Sequence, residues 1–151
     1  MLIEQAHVFR GVSKETMAKI SAHAVEESHP QGSYLFRRGD PALHFYVLQE
    51  GRIRLSVGST GLMAHIYTEP GEAFGLSSMA EHETYVATAE CVVPVKVIKI
   101  ENSRLIQALE QDPISGMQFF RRLASLIGNR LANCYEAALS LQGNRDMRSY
   151  G

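Results

Sequence analysis

The sequence predicts a mainly β domain, an antiparallel barrel or jelly roll, preceded by one short helix and followed by a long one. Three observations carry that expectation. From Tyr34 to Ile100 the chain is a series of short apolar runs broken by glycine, among them "FYVLQEG", "RIRLSVGSTG" and "AHIYTEPG". Many short strands at such spacing belong to barrels and jelly rolls. Ile53, Leu55 and Val57 alternate with Arg52, Arg54 and Ser56, the period of a half-buried strand. Beyond Asp112 the apolar period becomes that of a helix.

In chain order, Ser13 can cap a first helix, with Glu15 beside its positive end, and the helix is expected to reach about Glu27. "HPQG" then breaks the pattern, and the barrel is expected over about 30–100, with "VGSTG" as a turn between two strands. Asn102 is the expected cap of "SRLIQALEQ". Asp112-Pro113 places a cap before a proline at the first helical position, which starts a last helix over about 113–142. On it Met117, Phe120, Ala124, Ile127, Leu131, Cys134, Ala138 and Leu141 recur in steps of three and four, a seam sustained for more than three heptads. Leu123 and Leu126 widen the stripe at first, so that half should pack on the barrel and the rest on a second helix. Thirty helical residues span about 45 Å, more than a small barrel needs, and a parallel homodimer through this helix is expected. Gly143 is the expected C-cap, which makes 1–142 one domain and leaves 143–151 as a short tail.

Bulk properties narrow the function classes. The 151 residues carry fifteen basic and sixteen acidic side chains, a formal net charge of −1, so no general attraction to nucleic acid or anionic membrane is expected. There is no apolar run of membrane-spanning length and no signal-peptide layout at the N-terminus; a cytoplasmic protein is expected. Cys91 and Cys134 are too few and too far apart for a disulfide framework. The six histidines are scattered, and no zinc spacing, nucleophile elbow or phosphate-binding glycine loop occurs, so no metal, catalytic residue or enzyme activity is expected.

Two segments carry chemistry. "GSYLFRRGDPALHFYVLQEGRIRL" holds Gly32, Gly39-Asp40, Ala42, the run Phe45 to Leu48, and Gly51. "PGEAFGLSSMAEHETYVATAEC" joins a strand to one expected helical turn, whose free amides suit an anion, and Gly75 is expected to let a ligand approach the backbone. Together these segments resemble the cyclic-nucleotide-binding domain of the Crp/Fnr superfamily, over nearly the whole chain. The resemblance implies a double-stranded β-helix with a C-terminal dimer helix, a regulatory rather than catalytic role, and a ligand site formed by Gly71, Glu72, Phe74, Gly75, Leu76, Ser77, Ser78, Tyr85, Val86, Ala87 and Thr88. It also implies that Asn133, Cys134 and Tyr135 approach the ligand from the dimer helices.

In the family a glutamate follows Phe-Gly and holds the ribose, while an arginine and a small hydroxylated residue precede the final alanine and grip the cyclic phosphate. Aligned on Phe74-Gly75 and Ala87-Thr88-Ala89, this chain has Leu76, Tyr85 and Val86 at those places. The spacing is kept and the charged groups are gone, so no neutralising cation is expected in the hollow. A charge-assisted hydrogen bond contributes about 1.5–3 kcal/mol, and a bidentate arginine makes two. Losing them should weaken a cyclic nucleotide on the order of a thousandfold. A small ligand other than tightly held cyclic AMP is therefore expected. The alternatives are a haem-dependent gas or redox sensor, ligated by a histidine or Cys91, and a weak cyclic-nucleotide binder that forms the sensory half of a transcription regulator. The family's helix-turn-helix needs about sixty residues beyond the dimer helix. If the chain is complete, direct DNA binding is not expected.

Overall fold

The run Phe45–Leu48 sets the layering, because it is buried on both faces. The computed structural model describes residues 3–58 and 62–149, with backbone alone at 62–64 and 143–149. Successive side chains of a strand point to opposite faces. Phe45 and Val47 accordingly face a helical layer, while Tyr46 and Leu48 face the inside of the barrel. The strand that carries them is β3 (His44–Glu50), and it lies between β8 and β6 in a four-stranded sheet of order β1-β8-β3-β6. Here β1 is Ala24–His29, β6 is Ala73–Phe74 and β8 is Val95–Glu101. The second sheet, β2-β7-β4-β5, contains β2 (Tyr34–Phe36), β4 (Ile53–Val57), β5 (Leu62–Tyr67) and β7 (Ala87–Cys91). All pairings are antiparallel. Two antiparallel sheets closed by flanking helices make the jelly roll that the strand spacing predicts.

Between the sheets lies an aromatic core, in which Phe74 stacks on Tyr46 with ring centroids 5.2 Å apart and touches Tyr67 at 5.4 Å. A second core lies outside the first sheet. There Phe9, Phe45 and Phe119 meet edge-on or tilted, with Ile20, Ile98, Ile100 and Leu105 around them. Gly51 shows why the glycine frame exists. Its φ is 102°, and a Cβ would sit 2.6 Å from the Pro94 carbonyl oxygen. A side chain there would both strain the backbone and force β3 and β8 apart.

Three helical details depart from the sequence expectation. Helix α1 (Lys14–Ala22) starts where Ser13 caps it, through a bond from the Thr16 N–H, but it ends well before Glu27. Residues from Ala24 onward are claimed instead by the ladder with β8. The helix α2 (Asn102–Glu110) begins at Asn102 itself, with Glu101 in the cap position. The Asn102 amide is drawn away to donate to the carbonyls of Ala42 and Ser78. Helix α3 (Pro113–Ser149) passes straight through Gly143, so that glycine is not a C-cap. The "VGSTG" turn falls partly on residues outside those described.

The start of α3 is fastened as its sequence predicts. The Asp112 carboxylate accepts from the Ser115 N–H and hydroxyl, and also from the hydroxyls of Thr16 on α1 and of Ser13, the cap of that helix. These donors, Ser115 foremost, then Thr16 and Ser13, hold the Asp112 carboxyl well below the usual carboxylate range. From there Phe119 and Leu123 bury themselves on the sheet, whereas Ile127 and Leu131, on the seam, stay 42% and 49% exposed in the single chain. Among the described residues no helix is long and apolar enough to cross a membrane.

Candidate functional site

The glycine-rich segment after β6 forms one 3-10 turn, Leu76–Met79, introduced by Gly75 at φ 71°. That glycine serves the protein interior more than a ligand. A Cβ on it would lie 3.0 Å from the Tyr46 ring and 3.1 Å from the His44 carbonyl oxygen. A cavity of about 140 Å³ opens between this turn, β7 and the inner face of the second sheet. Of the residues that the resemblance implies, Gly75, Leu76, Ser77, Tyr85, Val86 and Ala87 line it, together with Phe36, Leu55, Tyr67 and Arg130.

The other predicted residues lie around rather than in the cavity. Phe74 is wholly buried in the barrel core. Gly71 and Glu72 form the turn before β6, where the Glu72 carboxylate accepts from the N–H groups of Thr68 and Glu69, both at 2.9 Å. Ser78 donates to the Gly75 carbonyl and faces the opposite side of the turn. A wider, open groove of about 510 Å³ lies there against α2 and the start of α3. The Thr88 hydroxyl accepts from the Arg38 N–H. Asn133, Cys134 and Tyr135 are exposed on α3 and do not line the cavity of a single chain.

Tyr85, at the position of the family's arginine, is a sealed wall. Its ring stacks on Phe36 with centroids 3.8 Å apart and planes 12° from parallel. Its hydroxyl donates to the His44 carbonyl at 2.6 Å and accepts from the His44 N–H at 3.1 Å. Burial pushes its pKa up to about 12, which keeps the phenol neutral and able to donate. Val86, beside it, is exposed at the mouth, and its N–H reaches the Ser77 hydroxyl at 3.4 Å.

The opposite wall corrects the expectation that no cation reaches the hollow. Arg130 of α3 leans in, donates from Nη2 to the Ala73 carbonyl at 2.7 Å, and lays its guanidinium over the Tyr67 ring at 4.5 Å. Its signal was in the sequence: Phe119, Leu123, Leu126 and Arg130 continue one stripe in steps of four, three and four. Tyr67, the other missed residue, is fully buried, and its hydroxyl has no hydrogen-bond partner among the described residues.

The cavity does not suit haem. It is far below the roughly 300–1,000 Å³ of ordinary ligand pockets, and no imidazole or thiol lines it. Cys91 is buried in the barrel core, on the far part of β7. Among the described residues no group of His, Cys, Asp or Glu is placed to hold a metal ion.

With this geometry in view, a family model described as the cyclic nucleotide-binding domain matches residues 26–112. No curated protein matches the chain. A solved protein from Geobacter metallireducens, described as cyclic nucleotide-binding, is 26% identical with a TM-score of 0.75, over 85% of this chain and 95% of that one. The sensor domain of the transcriptional regulator DNR from Pseudomonas aeruginosa is 23% identical with a TM-score of 0.72, over 87% of this chain and 89% of that one. The catabolite activator protein of Thermus thermophilus is 24% identical with a TM-score of 0.68; this chain covers 62% of its length and is itself covered to 91%.

Proposed function

Since the chain belongs to the cyclic nucleotide-binding domain family, we propose that it is a non-enzymatic sensor module that takes a small ligand other than tightly bound cyclic AMP and reports it through a dimer of α3. The observation that carries this reading is Tyr85. The position from which the family grips phosphate is filled by a phenol already committed to His44 and Phe36, and the ribose position is Leu76. On the cassette wall a cyclic nucleotide would meet Leu76 where the family has a carboxylate for the ribose, and unpaired buried polar groups are costly.

The exposed seam of α3 supports the dimer, because Ile127, Leu131 and Leu141 present apolar surface along one line. In such a pair Asn133, Cys134 and Tyr135 of the two helices would complete the mouth that a single chain leaves open. The likeness to a regulator's sensor domain supports a sensory role in transcription control, with the output passed to another domain or protein.

Calorimetric titration tests the reading. Wild-type protein is expected to show no micromolar binding of cyclic AMP, and the double variant Leu76→Glu/Tyr85→Arg is expected to gain it. Micromolar binding by the wild type would refute the proposal.

A further inference from the structure

The cavity's unexplained polar groups sit on its α3 side. A buried donor without a partner costs free energy, yet the hydroxyl of Tyr67, one of the residues around the cavity, is fully buried and has no partner among the described residues. Over its ring lies the Arg130 guanidinium, which carries five N–H donors and gives one to the Ala73 carbonyl. Glu72 lies near both groups and partly offsets the charge. Its carboxylate is engaged, however, by the Thr68 and Glu69 N–H groups and by His65 at 3.9 Å. Around the remaining wall are Phe36, Leu55, Leu76, Val86 and Ala87, with two further polar side chains, Ser77 and Tyr85, the latter's hydroxyl already bonded to His44.

Resting on the reading of the cassette cavity as the ligand site, we infer that Arg130 and Tyr67 form a replacement grip for a small oxyanion, a carboxylate or phosphate on a compact body. Charge and donor count select the anion. The volume of about 140 Å³ selects the size, since a nucleoside needs a pocket of the ordinary range, roughly 300 Å³ or more. Arginine and a neutral phenol can both donate, and the charged oxygens of a carboxylate or phosphate accept. Burial pushes the Tyr67 pKa up to about 12, so the hydroxyl keeps its proton to donate. The grip is supplied by α3 and β5 rather than by the cassette position where the family's arginine would stand.

The test uses the full chain, with inorganic phosphate and acetate as probes, sodium chloride at matched ionic strength as control, and cyclic AMP alongside. At least one oxyanion is expected to raise the melting temperature saturably beyond the chloride control, and to move the ring-carbon NMR resonance of Tyr67. Arg130→Gln and Tyr67→Phe are each expected to abolish that gain. Tyr67→Phe is also expected to raise the ligand-free melting temperature by about 2–4 °C, because it removes an orphaned donor. Stability and response then move in opposite directions, which a purely structural tyrosine would not produce. No oxyanion-specific shift in the wild type, or a shift kept in both variants, would overturn the grip. That failure is distinct from failure of the cassette reading, which shows as micromolar cyclic AMP binding by the wild type.

Discussion

Removing one oxygen from Tyr85 measures how firmly the cassette is closed. In Tyr85→Phe the ring keeps its stack on Phe36, so the change is confined to the hydroxyl and its two bonds with the backbone of His44. Each such bond contributes about 0.5–1.5 kcal/mol net, and the phenol is only 4% exposed, so water cannot take its place. The sum is about 1–3 kcal/mol. For a domain of this size that corresponds to a fall in melting temperature of roughly 4–8 °C at the 2 kcal/mol midpoint. In urea, with a slope near 2 kcal/mol/M, the midpoint should drop by about 1 M while the slope stays constant. Far-UV circular dichroism during urea unfolding is a sufficient assay. A loss below about 0.5 kcal/mol, the range of an ordinary surface substitution, would refute the reasoning. It would place the hydroxyl in water and leave the cassette open to a ligand on that side.

Two further outcomes follow from α3. Ile127→Asp with Leu131→Asp is expected to give monomers in sedimentation velocity while the barrel stays folded, since neither side chain is part of the buried core of the single chain; dimers of undiminished stability would place the interface elsewhere. Asp112→Asn is expected to destabilise the protein at neutral pH. The folded carboxyl titrates below its ordinary value near 4, so its contribution is complete above that value and fades as the pH falls further. The stability curves of the two proteins should therefore converge in acid, and a difference that persists there would mean that charge is not what Asp112 supplies.

The strands were legible as short apolar runs broken by glycine. Phe45 to Leu48 shows this well: the continuous apolar run is buried on both faces, and the structure divides it between the two cores. The end of α1 was not legible. Nothing in "AVEESH" forbids helix, and the ladder with β8 decides against it from some seventy residues away, as tertiary pairing routinely overrides propensity. Tyr85 could be placed in the cassette by spacing, but its bonds to His44 join residues 41 apart and leave no local mark. Arg130 was missed for a different reason. The heptad seam drew notice to one face of α3, and the stripe of Phe119, Leu123 and Leu126 that faces the barrel ends in a charge. A cation closing an apolar stripe is a readable sign that the helix borders a hollow.

The neighbours of Arg130 along the helix give its position a mechanical meaning. Ile127 and Leu131 flank it within a single turn and look outward, while its own side chain looks inward at the Ala73 carbonyl and the Tyr67 ring. With α3 paired as proposed, whatever displaces that guanidinium would act on the coupling surface across one helix width, roughly 10 Å. Such a sensor needs no relay through the barrel: the detector and the lever are the same piece of backbone.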